Sequence, residues 1–225
     1  MVPPLAVDID GTLSRPDRSI DPRVMDALRE WNAPVVVATG KALPYPVALC
    51  GYVGVPERVV AENGGVSYDA DRDKLRYHGD RAAAQEVVDE YEARGYSLGW
   101  GEVDLVNRWR ETEVAVARDQ PLGPLEEIAA AHGLHVVDTG FAYHVKSKGM
   151  SKGHALAAMV EDLAYGLGDF IAVGDSQNDV ELLREVGTGY AVANADAAAR
   201  EAADYVTDGS YADGFLEALD DALAE

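Results

Sequence analysis

The chain has 225 residues, enough to bury a full core, and 48% are hydrophobic, the usual share of a globular protein. It carries 40 acidic residues against 19 basic ones, a formal charge of −21, which argues against nucleic acid as a partner because a phosphate backbone needs a basic face. A single cysteine, Cys50, rules out an internal disulfide and a cysteine zinc cluster, and no apolar run approaches the roughly 20 residues of a membrane helix.

The first short apolar run, Leu5 to Ile9, reads as a buried strand. It is interrupted by Asp8 and Asp10 and stopped by Gly11-Thr12. Carboxylates are costly to bury unless paired or bound to metal, so two of them at the end of a core strand ask for a cation or a chemical role. Met1-Val2-Pro3-Pro4 ahead of this run lacks the basic region of a secretory signal, so the cytoplasm is the expected location. After a polar loop, Asp21-Pro22 opens a helix as N-cap and first helical residue, with Val24, Leu28 and Trp31 on its apolar face. Val35 to Ala38 reads as a second strand ending in Thr39-Gly40-Lys41, and an apolar stretch over 42–53 as a helix. A third strand, Arg58 to Ala61, ends in Glu62-Asn63-Gly64-Gly65, and a hairpin follows over 66–77.

Near Asp80 the pattern changes. Helices over about 80–94 and 122–132 are mixed with short segments at 96–99, 103–107, 112–117, 134–138 and 142–146, the grammar of a small α+β unit. From Ser151 the strand–helix alternation returns. Ser151 caps a helix to about Ala164, and Asp169 to Val173 leads into Gly174-Asp175-Ser176-Gln177-Asn178-Asp179. Helices are expected to about Val186, over 195–203 and over 214–224, with strands at 190–192 and 205–207 between them. The expected architecture is α/β: a Rossmann-like, doubly wound parallel-sheet core over 1–79 and 150–225, with an inserted α+β cap over 80–149.

Four stretches share one feature, an apolar strand or a helix start that meets polar residues. They are Asp8-x-Asp10-Gly-Thr, Thr39-Gly40, Lys152 at a helix N-terminus, and Asp175-x-x-Asn178-Asp179. Each alone reads as a cap, a turn or a solvated side chain. Together they supply what phosphate-ester hydrolysis needs: a carboxylate nucleophile, a second carboxylate for proton transfer, oxygen ligands for Mg²⁺, and a lysine and a hydroxyl for the phosphoryl group.

In this order the motifs resemble the haloacid dehalogenase superfamily, in particular its Cof-like members, whose cap lies between the second and third motifs. Within that group the chain is most similar to archaeal phosphoglycolate phosphatases. The resemblance implies Asp8 as nucleophile and Mg²⁺ ligand, and Asp10 as general acid/base with its backbone carbonyl on the metal. It implies Thr39, Gly40 and Lys152 as phosphate-binding residues, Asp175 and Asp179 as further metal ligands, and Asn178 in support. The expected partner is a small phosphorylated metabolite, most simply 2-phosphoglycolate, with no nucleic acid or membrane partner, and a monomer or homodimer in solution. A sugar-phosphate phosphatase and a non-catalytic phosphate-responsive module are the alternatives. Lys41 departs from the arginine common after Thr-Gly in Cof-like proteins.

Lysine is scarce, with five in the chain against fourteen arginines, and three of the five fall between Lys146 and Lys152. Lys148 is the candidate for a substrate carboxylate, with a solvated hinge as the alternative, and His144 and Lys146 lie at the same junction. Arg108, Trp109 and Arg110 form a second candidate patch. The acidic, lysine-poor composition resembles that of proteins from salt-rich cytoplasms, where salt screens self-repulsion.

Overall fold

The computed structural model describes residues 1–161 and 163–224. Its first half contains β1 (Leu5–Val7), α1 (Pro22–Glu30), β2 (Val35–Ala38), α2 (Pro44–Val53), β3 (Arg58–Ala61), β4 (Val66–Asp69) and β5 (Lys74–Tyr77). Then come α3 (Arg81–Ala93), β6 (Val114–Ala117), α4 (Leu122–Ala131), β7 (His135–Asp138) and β8 (Ala142–Lys146). The chain closes with α5 (Lys152–Val160), β9 (Ile171–Gly174), α6 (Val180–Glu185), β10 (Thr188–Ala191), α7 (Ala197–Ala202), β11 (Tyr205–Val206) and α8 (Ala212–Ala224).

Eight strands make one sheet in the order β11-β10-β9-β1-β2-β3-β4-β5. The strands from β11 to β3 run parallel, and β4 and β5 add an antiparallel hairpin at the edge. The central strands are apolar without alternation because both their faces are covered: every residue of β1, β2 and β9 is buried. Each such valine or leucine contributes roughly 1.5–3 kcal/mol relative to an exposed position. From β1 the chain moves to β2 and β3, and from β9 it moves the other way to β10 and β11. Crossovers of one hand running in opposite directions fall on opposite faces, so the winding reverses between β1 and β9. In register, Val7 lies beside Val37 and Val173. The residues that follow those valines therefore leave the sheet along one edge.

The cap is a separate antiparallel sheet, β6-β8-β7, with its own core of Val87, Val88, Tyr91, Val116, Leu125, Ile128 and Val145 from the sheet and from α3 and α4. Here the structure corrects the expected short segments at 96–99 and 103–107: neither is a strand, the first being irregular and the second ending in a turn over 105–107. Their job is to close the open edge of β6. The Asn107 amide accepts from Ala115 N at 2.7 Å and donates to Ala115 O at 2.8 Å, the two bonds a neighbouring strand would make. Trp100 Nε1 donates to the same carbonyl at 2.8 Å, and Ala117 N to Leu98 O at 2.8 Å. An unpaired strand edge invites foreign pairing, and side chains here block it. Helix α5 ends at Val160, short of the expected Ala164, and residue 162 in that stretch lies outside the described residues. No helix among the described residues is long and apolar enough to cross a membrane.

Candidate active site

Asp8 leaves the sheet at the end of β1, with its amide donating to Val173 O at 3.1 Å. Its side chain is buried, and Oδ1 accepts from Lys152 Nζ at 2.7 Å. Lys152 opens α5, whose N-cap Ser151 accepts from His154 N, and it is fully buried. The same ammonium donates to Asp179 Oδ1 at 2.6 Å. The other Asp179 oxygen accepts from the amides of Asp175 and Ser176 at 3.0 and 3.1 Å, which folds the loop after β9 back on itself. A side chain at Gly174 would collide with Asp179, its Cβ 2.6 Å from Cγ. Gly11 is needed twice over: its φ is +87°, and a Cβ would fall 2.1 Å from Asp175 Oδ2.

One oxygen each of Asp8, Asp175 and Asp179 lies within 4.8 Å of the others. Asp175 Oδ1 is buried and has no hydrogen-bond partner. An orphaned carboxylate oxygen in a cluster of three carboxylates against one ammonium is short of positive charge, and an all-oxygen donor set suits Mg²⁺. Burial raises the Asp8 carboxyl to about 7, Lys152 pulling down and Asp179 and Asp10 pushing up. Burial, then Asp8 and Asp179, push Asp175 up to about 9. A divalent cation among these oxygens would bring both down. Lys152 moves the other way: its burial is outweighed by Asp179 and Asp8, which hold it charged.

A cavity of about 400 Å³ opens above this cluster, lined from the core by Asp8, Asp10, Thr39, Gly40, Asp175 and Asn178. Asp10 is half exposed and pairs with Lys41 at 2.9 Å. Thr39 is buried, with Oγ1 accepting from Lys41 N at 3.2 Å. Asn178 Nδ2 donates to Asn63 Oδ1 at 2.9 Å. Lys152 does not line the cavity. Expected to bind the phosphoryl group, it holds its ammonium between Asp179 and Asp8, the latter lining the cavity.

The far wall comes from the cap. Glu62 and Asn63, both at positive φ, turn toward it. The buried Glu62 carboxylate accepts from the amides of Glu111 and Thr112 and from Thr112 Oγ1 at 2.7–3.0 Å, fastening cap to core. Asn63 Nδ2 donates to both oxygens of Glu113 at 3.1 Å. Glu113 is fully buried and takes hydrogen bonds from Arg110 and from His144 Nδ1, the latter at 2.8 Å. Burial disfavours its charge, but His144, Arg110 and Lys146 outweigh that and hold its carboxyl down at about 2. Arg110, Phe141 and His144 line the cavity, and Arg18 from the first core loop lies 5.7 Å over the Phe141 ring.

Lys148, expected to meet a substrate carboxylate, is exposed and outside the cavity. Of the second expected patch, Arg110 enters the cavity, Arg108 is exposed, and Trp109 packs edge-on against Tyr45 in a separate apolar groove. Glu113 and Arg18 escaped the sequence reading. The signal for Glu113 was a charge abutting the apolar run Val114 to Ala117; nothing in the sequence singles out Arg18.

A family model described as haloacid dehalogenase-like hydrolase matches residues 5–100 and 126–219, leaving out only a stretch of the cap and the chain ends. The chain belongs to the haloacid dehalogenase-like hydrolases. Within this family, a protein of Natronomonas pharaonis named phosphoglycolate phosphatase is 62% identical over 98% of this chain and 97% of its own length. One of the same name from Halobacterium salinarum is also 62% identical, over 97% and 96%. Both come from halophilic archaea, in keeping with the acidic surface. This family member is an enzyme of the phosphatase type. The crystal structure of Thermoplasma acidophilum 0175 superposes with a TM-score of 0.86 at 23% identity over the whole of both chains. A Thermotoga maritima structure does so with 0.79 at 20% identity, over 98% and 97%. At these identities the likeness is one of fold: a doubly wound core carrying an inserted cap.

Proposed function

We propose that the protein is a Mg²⁺-dependent phosphatase working in the cytoplasm on a small phosphomonoester, 2-phosphoglycolate first among them, through an aspartyl phosphate. The observation that carries this reading is the orphaned Asp175 oxygen beside an Asp8 that Lys152 fixes at the cavity floor. Asp8, Asp175 and Asp179 would hold the metal, with the Asp10 carbonyl. When bound, the ion neutralises the repulsion between the attacking carboxylate and the phosphate. An Asp8 oxygen forms a bond to phosphorus as the bond from phosphorus to the leaving alkoxide breaks. Asp10, at the cavity wall, gives that alkoxide its proton. The same carboxylate then takes a proton from the water that attacks the aspartyl phosphate, which releases Asp8 and inorganic phosphate. Thr39 and the Gly40 backbone hold the phosphoryl oxygens, and Asn178 braces the loop of Asp175 and Asp179. Full-length relatives named phosphoglycolate phosphatase at 62% identity support the substrate.

The test is a panel of phosphorylated metabolites compared by kcat/KM with Mg²⁺, at low and multimolar salt. Phosphoglycolate is expected to lead. A sugar phosphate in first place would replace the substrate, and no turnover even of p-nitrophenyl phosphate would leave a phosphate-binding module.

A further inference from the structure

Cations surround the cavity, yet Lys41 is paired and Arg15 and Arg18 are exposed. Lys41 pairs with Asp10, Arg15 with Asp21 at 3.2 Å, and Arg18 lies on Phe141. Arg110 differs. It is 5% exposed, and its Nε and Nη1 are held by Val106 O at 3.1 Å, Gly40 O at 3.1 Å and the Glu113 carboxylate. Its Nη2 has no partner among the described residues, although the residue lines the cavity. His144, 2% exposed, is set in the same way. Glu113 accepts from Nδ1, and Nε2 has no partner among the described residues; it is a donor toward an anion in the imidazolium form, where both ring nitrogens carry hydrogen. One buried carboxylate thus aligns a guanidinium and an imidazole whose outer nitrogens are unspent, the imidazole serving an anion as the imidazolium.

We infer that Arg110 and His144, aligned by Glu113, form the subsite for the carboxylate at the non-phosphate end of the substrate. This rests on the phosphatase reading and names what that site selects. A buried guanidinium with a free nitrogen is built for a carboxylate, and leaving it unpaired penalises a ligand that lacks one. Arg110 Nη1 donates to the carbonyl of Gly40, next to Thr39, so the subsite adjoins the residues that meet the phosphoryl group. Lys146, buried and bonded to Asn63 O at 3.3 Å, adds positive charge behind Glu113 without entering the cavity.

The experiment compares kcat/KM for phosphoglycolate with that for ethyl phosphate, which has the same two-carbon chain but a methyl in place of the carboxylate. In Arg110→Lys, which keeps the charge beside Glu113, and in Arg110→Gln, the ratio should fall roughly ten- to hundredfold, mainly through KM for phosphoglycolate. His144→Gln should lower it less, and the exposed Lys148→Ala should leave it unchanged. Equal losses on both substrates overturn the subsite, as does a fallen ratio in Lys148→Ala. Calorimetric binding of glycolate to the folded protein gives a second readout, independent of turnover. If the wild type prefers a carboxylate-free substrate, the proposed substrate fails, and glycolate binding decides the subsite alone. Binding weakened by Arg110→Gln upholds it, and binding that is absent or unaltered overturns it.

Discussion

Two buried charge clusters face one cavity, and they are unbalanced in opposite directions. In the core, Asp8, Asp175 and Asp179 gather round one ammonium, and an oxygen is left over. In the cap, Arg110, His144 and Lys146 gather round one carboxylate, and the outer guanidinium nitrogen of Arg110 is left over. Burying an ion without full compensation costs several kcal/mol, so neither imbalance stabilises the fold on its own. Each makes sense as half of an interaction completed by something that enters. The core cluster awaits a cation and a phosphoryl group, and the cap cluster awaits an anion. Asn63 joins the two, touching Asn178 on one side and Glu113 on the other.

The sharpest way to break this contrast is at the nucleophile. Asp8→Asn keeps size and shape but removes the attacking anion, so kcat should fall by roughly 10⁵ while circular dichroism stays native. Near wild-type turnover would sink the covalent mechanism. Next comes Lys152→Met, which strands Asp8 and Asp179 without their cation. A loss of about 3–5 kcal/mol in urea unfolding is expected, larger at pH 8 than at pH 5 because the stranded carboxylates are then charged.

The cap cluster should answer to acid. Glu113 is held down at about 2, so its contribution is complete above its ordinary value of 4.5 and is lost as pH falls from there toward 2. That contribution is about 3 kcal/mol. The stability gap between wild type and Glu113→Gln should therefore close across this window, and a gap independent of pH would mean that the pair of Glu113 with Arg110 and His144 is worth little.

The smallest effect concerns the metal. Mg²⁺ at a hundred times its Kd should add about 2.7 kcal/mol to the unfolding free energy of the wild type. In Asp175→Asn the rise should be much smaller. An equal rise in both would place the ion elsewhere.

The sequence alone determined the strands of the core and the ends at which they turn polar. Buried parallel strands write themselves as unbroken apolar runs, so Asp8, Thr39 and Asp175 stand out at their ends. Local chemistry also fixed the caps, with Asp21 accepting from Arg23 N and Ser151 from His154 N as their positions foretold. The cap was harder, because Asn107 and Trp100 imitate a strand with side chains, and no periodicity records that. Tertiary structure alone decided which cations reach the cavity. Lys148 and Arg110 look alike in a linear reading, each a basic residue in a candidate patch of the cap. One is turned out to solvent, and the other is drawn in by Glu113, a partner three residues away, and by Gly40, seventy residues away. Charge pairing over such separations depends on how the cap sits on the core, which is settled by the Glu62 carboxylate and the amides it holds rather than by any local pattern.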